Sequence, residues 1–97
     1  DLIPRFPEVR RDLALLLDEG VRYSDLRAAA FKQARGLLQQ VGLFDVYRGD
    51  KIPEGKKQYA LSFVIRSDER TLTDQDTERL MDRLLDVFRK DFGAVLR

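Results

Sequence analysis

Two aspartates differ from the other carboxylates of the chain, because Asp12 and Asp45 each lie in a stretch typical of a β-strand. Two carboxylates that share one open face of a sheet could act as an acid–base pair. Salt bridges to Arg11, Arg48 or Arg66 explain them better. The remaining carboxylates fit helix caps, turns or solvated surfaces. We therefore expect the two aspartates to bind or to brace, and not to catalyse.

Several residue types that active sites use are missing from the sequence. It contains no cysteine and no histidine, which excludes disulfides, thiol nucleophiles, imidazole acid–base chemistry and Cys/His zinc sites. Gly36, Gly49 and Gly55 do not match a phosphate-binding loop. An acylphosphatase-like enzyme would use an asparagine, and the chain has none. We expect no catalytic residue, no metal site and no cofactor in this chain.

Basic residues do not dominate by number, since 18 Lys and Arg accompany 17 Asp and Glu, for a net charge of +1. A basic surface must therefore come from the distribution of charges. Ordinary solubility is one explanation of these charges. The other is a rim that holds phosphates around a sheet that contacts bases. The basic residues in question are Arg10, Arg11, Arg48, Lys51, Lys56, Lys57 and Arg66.

The hydrophobic pattern predicts the elements that would position these residues. Alternating or continuous apolar residues indicate strands, and apolar residues at helical spacing between a cap and a glycine indicate helices. The first helix has Ser24 as its predicted N-cap and ends at Gly36. The second has Thr73 as its N-cap and ends at Gly93. The predicted strands cover residues 11–18, 37–48, 59–65 and 94–96.

Length and element order together predict one domain. At 97 residues and 43% hydrophobic content, the chain has enough apolar residues for one modest core. The order βαββαβ predicts an α+β, ferredoxin-like sandwich built from two split β-α-β halves. The near-continuous apolar runs of the first and third strands place them in the middle of an antiparallel sheet, in the order 4-1-3-2. Both helices then cover one face, and the other stays open.

We expect residues 1–9 to form a linker, because Pro4 and Pro7 disfavour regular structure, and residues 10–97 to form the domain. The sequence begins at Asp1 without methionine, so we expect an excised domain. No apolar run approaches the ~20 residues that cross a bilayer, and no signal-like start is present. The absence of cysteine fits a cytosolic protein.

Alternation along the strands predicts which side chains point to the open face. In the second strand, Phe44 and Val46 are expected to face the helices. Leu43, Asp45 and Tyr47 are then expected to face outward. Small outward residues would admit an unstacked base, and polar ones could contact its edges. Tyr47 could stack on a base or pack at the sheet edge, and both remain open. The outward residues predicted for the third strand are Ala60, Ser62, Val64 and Arg66.

Five motifs carry a resemblance to a known family. They are FPEVRRDLAL at 6–15, FDVYRG at 44–49, IPEGKK at 52–57, RTLTD at 70–74 and GAVLR at 93–97. In this order they are similar to the C-terminal anticodon-binding domain of bacterial phenylalanyl-tRNA synthetase beta subunits, over nearly the whole chain. The pair Gln58-Tyr59 departs from the family, in which Ser-Leu is common at this point.

The resemblance implies a ferredoxin-like fold that binds the anticodon stem-loop of the phenylalanine tRNA through its sheet. It implies catalysis in a separate alpha subunit, which uses ATP and Mg²⁺, within a cytoplasmic (αβ)2 heterotetramer that includes the rest of the beta subunit. The alternative is a ferredoxin-like regulatory or protein-interaction domain without RNA binding, since a fold does not determine function. A closed pocket or a self-complementary surface would favour that alternative.

The candidate RNA-binding residues come from the matched motifs and from the predicted open face. Arg70 and Thr73 are expected to brace the second helix and not to contact RNA. The candidates are Arg10, Arg11, Asp12, Ala14, Asp45, Tyr47, Arg48, Lys56, Lys57, Ser62 and Arg66.

Overall fold

The computed structural model describes residues 5–97, which form four strands and two helices. The elements are β1 Val9–Asp18, α1 Tyr23–Ala34, β2 Leu38–Tyr47, β3 Lys56–Ile65, α2 Asp74–Phe92 and β4 Val95–Leu96. The strands form one antiparallel sheet in the order β2-β3-β1-β4, which is the predicted order counted from the other edge. The predicted α+β, ferredoxin-like architecture is confirmed.

The two central strands, β1 and β3, pair over ten residues each without a break. Their apolar side chains on one face form a single core with both helices. Within that core Phe63 stacks on Phe88 of α2, with ring centroids 6.2 Å apart. Burial of such side chains supplies most of the stabilisation of a sheet covered by helices. The buried apolar residues of the two strands on this face are Leu15, Leu17, Tyr59, Leu61, Phe63 and Ile65.

The start of α2 is fixed by a reciprocal cap, as the sequence predicts. The Thr73 hydroxyl accepts a hydrogen bond from the Asp76 amide (3.1 Å), and the Asp76 carboxylate accepts one from the Thr73 amide (2.9 Å). Arg70 adds a two-pronged ion pair to Asp76. The hydrogen bonds from Arg70 and Thr73 hold the pKa of Asp76 well below its ordinary value. The predicted bracing role of Arg70 and Thr73 is thus confirmed.

The start of α1 differs from the prediction. The N-cap is Arg22, which makes no side-chain cap, and Ser24 already lies inside the helix. The first helical residue also contacts the sheet, because the Tyr23 hydroxyl donates to the Val41 carbonyl on β2 (3.0 Å). The N-cap prediction for Ser24 is therefore wrong. The helix ends at Ala34, the C-cap Arg35 is already left-handed with a φ of 51°, and Gly36 follows with a φ of 89°, at the position predicted to end the helix.

Because of a bulge in β2, two side chains do not point to the side of the sheet that the sequence predicts. The register shifts between Leu43, which lies opposite Leu61, and Asp45, which lies opposite Ala60. Phe44 is the extra residue, and such an insertion breaks the simple alternation of side chains. Leu43 therefore packs against the core, although it was predicted to face outward, and Phe44 is 55% exposed, although it was predicted to face the helices.

The ends of two strands also differ from the prediction. β1 begins at Val9, so this residue of the expected linker 1–9 belongs to the sheet. Residues 5–8 form no helix or strand, and residues 1–4 lie outside the described part of the chain. β3 begins at Lys56, three residues before the predicted start, which moves two lysines from the loop into the sheet.

Candidate nucleic-acid interface

The face of the sheet opposite the helices consists of alternate residues of the strands, because side chains alternate along a strand. Pairing aligns these residues in rows that cross the sheet. The amide of Arg97 donates to the Ala14 carbonyl (2.8 Å), which adds Arg97 to the middle row. We call three rows together the open face. The middle row is Asp45, Ala60, Ala14 and Arg97. The rows on either side of it are Tyr47, Gln58, Leu16 and Val95, and Gly42, Ser62 and Asp12.

The floor of the open face is low at its centre. Ala14 and Ala60 carry only methyl groups there, and Gly42 carries no side chain. A Cβ added to Gly42 would lie 3.0 Å from the Ser62 Oγ, so a larger residue would crowd that hydroxyl. Ala60 itself is only 8% exposed, because neighbouring side chains cover it, so a flat ring can approach the backbone beside it, at Gly42 and Ala14, and meet the Ser62 hydroxyl at its edge.

Asp45 and Tyr47 form the polar edge of the open face on β2. The Asp45 carboxylate accepts a hydrogen bond from the Val46 amide (3.0 Å), which orients it. A hydrogen bond to this carboxylate, together with its negative charge, raises the pKa of Tyr47 above its ordinary value. The Tyr47 ring is about half exposed and can stack on another ring.

The candidates at the start of β1 divide between the two faces. Arg10 and Asp12 lie on the same side as Ala14, and they form an exposed ion pair of 3.2 Å. Arg11 lies opposite Phe63, on the helix side, and donates to the Arg10 carbonyl (3.0 Å). Arg10 and Asp12 can therefore meet a ligand on the open face, whereas Arg11 points away from it.

Lys57 does not reach the open face. It lies opposite Leu17 on the helix side and is only 5% exposed. Its ammonium donates to the carbonyls of Glu19 (2.9 Å) and Val21 (2.5 Å), and it lies 4.7 Å from the centre of the Tyr59 ring. Lys57 thus stabilises the turn after β1. This position does not suit a phosphate contact, and we leave Lys57 out of the interface.

Two further basic candidates at this end of the sheet make ion pairs with the same turn. Lys56 pairs with Asp18, and Arg48 forms a two-pronged pair with Glu19, with its closest contact at 2.5 Å. The hydrogen bond between Arg48 and Glu19 lowers the pKa of Glu19 and raises the pKa of Arg48. Both cations are partly engaged within the protein, so they are less available to phosphates than their sequence positions indicate.

The last basic candidate, Arg66, lies at the opposite end of the sheet. Its amide donates to the Leu37 carbonyl (2.9 Å), and its guanidinium pairs with Asp68 at 2.7 Å. The side chain is only 16% exposed. It does not join the three rows of the open face.

A groove on the open face contains residues that the sequence-based list missed. The loop after β2 forms one wall and Arg97 forms another, with Tyr47 and Gln58 between them, and the volume is about 470 Å³. Gln58 was detectable, because it continues the alternation of Ala60 and Ser62 along β3. Arg97 was not, since a strand of two residues has no readable period. The lining residues are Tyr47, Arg48, Asp50, Lys51, Ile52, Gln58 and Arg97.

Two kinds of feature are absent from the described residues, a cluster of metal ligands and a membrane-spanning helix. Within residues 5–97 no three Asp or Glu side chains come together in a way that could hold a metal ion. Neither helix in that range is long and apolar enough to cross a bilayer. What the open face offers is a flat, partly polar surface with one accessible tyrosine ring, which suits the binding of a planar molecule.

Comparison with a family model decides the classification. Residues 4–97 match the model described as the ferredoxin-fold anticodon binding domain. The chain belongs to this family. Its described architecture is the one that the family's description names, and the match covers both the open face and the helices.

Several proteins with similar sequences have the same name, phenylalanine–tRNA ligase beta subunit. The chain is 47% identical over 95 residues to the phenylalanine–tRNA ligase beta subunits of Porphyromonas gingivalis and of Geobacillus kaustophilus, and 42% identical to that of Clostridium tetani. Each of these alignments covers 98% of the chain. The chain spans only 12% of the length of these relatives.

Proposed function

We propose that this anticodon-binding domain is part of a phenylalanine–tRNA ligase beta subunit and that its open face binds the anticodon stem-loop of the phenylalanine tRNA. The observation that carries the proposal is the arrangement of Asp45, Tyr47 and Ser62 around a floor of small residues. Unpaired bases of an RNA loop are bound by stacking and by hydrogen bonds at their edges. This face offers a ring for the first and a carboxylate and a hydroxyl for the second.

The engagement of the basic candidates within the protein supports modest affinity and a dependence on base identity. Lys56, Lys57, Arg48 and Arg66 are all engaged in internal hydrogen bonds or ion pairs. Few cations therefore remain for phosphates. With three or four such contacts, the logarithm of affinity should fall with the logarithm of salt with a slope of about −2 to −3. Base contacts then determine which loop is preferred.

The larger assembly is part of the same proposal. The chain would act with the rest of a beta subunit and with a catalytic alpha subunit in a cytoplasmic (αβ)2 heterotetramer. The ligase reaction would occur on the alpha subunit, which would use ATP and Mg²⁺. The role of this domain would be to bind and orient the tRNA, which fits the lack of histidine and cysteine in its sequence.

The proposal is tested by titrating the full-length protein that carries this chain with an anticodon stem-loop RNA and with a stem-loop whose anticodon bases are changed. We expect tighter binding of the first RNA. Substitutions Asp45→Asn and Ser62→Ala should reduce the preference by about tenfold, because lost base-edge bonds lower discrimination.

Equal affinity for both RNAs, or Asp45→Asn and Ser62→Ala variants that discriminate as the parent does, would contradict the proposal. Such a result would favour the alternative of a regulatory or protein-interaction domain.

A further inference from the structure

The groove of the open face has cations on two of its walls. Arg97 lies beside the end of β4, and Lys51 lies in the loop after β2. The residues between them, Tyr47 and Gln58, belong to one row of the sheet. Positive charge is thus brought to both sides of a recess that also contains an exposed ring.

The backbone at Arg97 is held in place, whereas its side chain is exposed. The Arg97 amide donates to the Ala14 carbonyl at 2.8 Å, which fixes the residue to β1. Within residues 5–97 no Asp or Glu side chain forms an ion pair with Arg97 or with Lys51. Arg48 also lines the groove, but Glu19 holds its guanidinium. Arg97 and Lys51 therefore differ from the engaged cations at the same end of the sheet.

We propose that Arg97 and Lys51 together hold one backbone phosphate of the RNA loop in this groove, an inference that rests on the proposed function. Guanidinium and ammonium groups carry only donors, and a phosphate offers several acceptor oxygens to both. Asp50 on the groove wall disfavours a highly charged free anion, whereas a phosphodiester carries one charge. The Tyr47 ring and the Ile52 side chain add apolar surface that a nucleotide covers and that inorganic phosphate does not.

The test compares Arg97→Gln and Lys51→Gln with Arg79→Gln, which removes an exposed arginine from α2 on the other side of the sheet. Each variant of the full-length protein is titrated with the anticodon stem-loop over a salt series. One phosphate contact adds about −0.7 to the slope, which corresponds to about fivefold in affinity for each tenfold change in salt. Because they share one phosphate, Arg97→Gln and Lys51→Gln should each flatten the slope by up to that amount, the double variant should lose no more than about −0.7, and Arg79→Gln should lose none.

A second measurement uses stem-loops in which one loop phosphate at a time is replaced by an uncharged methylphosphonate. One position should weaken binding to the parent clearly more than it weakens binding to the Arg97→Gln variant, which has already lost one of the two cations at that phosphate. Arg97→Gln should also weaken binding of the stem-loop with the original anticodon bases and of the stem-loop with changed bases by the same factor, because a phosphate contact does not depend on base identity.

Three results would overturn the inference: an unchanged salt slope in Arg97→Gln, a loss confined to one loop sequence, or the absence of a methylphosphonate position that separates this variant from the parent. These outcomes are distinct from failure of the proposed function. That failure would appear as a parent protein that does not distinguish the two loops.

Discussion

Lys57 and Gln58 are neighbours on β3, and they belong to different parts of the molecule. Lys57 lies opposite Leu17, where it is buried and bound by two carbonyls of the turn after β1. Gln58 lies opposite Leu16 on the open face and lines the groove. One residue along the strand separates a side chain that stabilises the fold from one that lines the groove of the open face.

The same contrast applies to the two faces as wholes. The helix side is a closed apolar core in which the Lys57 ammonium donates two hydrogen bonds, and no buried polar side-chain atom of residues 5–97 lacks a partner. The open face instead presents small and polar side chains with accessible donors and acceptors. The position of a residue in the register, and not its type, therefore decides which of the two faces its side chain joins.

The largest expected effect is a loss of stability on the helix side. Phe63→Ala removes a fully buried ring that stacks on Phe88, and it should lower the free energy of unfolding by about 3–5 kcal/mol. Its neighbour Ser62 faces the other way, so Ser62→Ala should change stability by less than about 1 kcal/mol. Denaturant unfolding measures both. Equal losses would mean that the two faces are not distinct.

Lys57→Met should cost less but still destabilise. It keeps most of the apolar volume and removes a charged donor, which leaves the carbonyls of Glu19 and Val21 without their partner. The expected loss is about 2–3 kcal/mol. Lys56→Met is the matched control, because it breaks only an ion pair with exposed Asp18, worth at most about 1 kcal/mol. If the Lys57→Met variant is as stable as the Lys56→Met control, Lys57 does not stabilise the turn, and it becomes a candidate RNA contact again.

The open face should respond in binding and not in stability. Tyr47→Ala should weaken anticodon stem-loop binding by about tenfold, since a stacked base contributes about 1–3 kcal/mol. Val46→Ala alters the adjacent residue, which lies opposite Tyr59 on the helix side, and should leave binding unchanged. Fluorescence titration of the full-length proteins measures both. If neither substitution alters affinity, Tyr47 is an edge-packing residue.

The smallest effect concerns Asp76, which lies outside both faces. Its pKa is lowered in the folded state, so its carboxylate stabilises the protein above the ordinary pKa of 3.8, and this contribution is lost as the pH falls further. Asp76→Asn should therefore be less stable than the parent at neutral pH, with a difference that shrinks below about pH 4. Asp74→Asn, in the same helical turn, is the control. Thermal unfolding at several pH values gives the result, and a constant difference would contradict it.

Much of this architecture was predictable from the sequence, because β1 and β3 carry long apolar runs and α2 has a clear cap and stop. The faces to which Leu43 and Phe44 point could not be predicted, because the sequence pattern of β2 does not show that Phe44 forms a bulge. Lys57 was misplaced because the Lys-Lys pair resembles loop residues, and only pairing with β1 shows its side. Arg97 joins the groove through one backbone hydrogen bond, which no sequence pattern indicates.

The central claim is that the open face is the RNA surface. Ala14→Glu places a bulky negative charge at the centre of that face, and Ala28→Glu places the same side chain on the exposed surface of α1. Binding of the anticodon stem-loop to the full-length proteins is then measured at low salt. We predict a loss of more than about tenfold for Ala14→Glu, because like charges and lost access both oppose the RNA, and little change for Ala28→Glu. Equal affinities of the two variants, whether both retained or both lost, would contradict the claim.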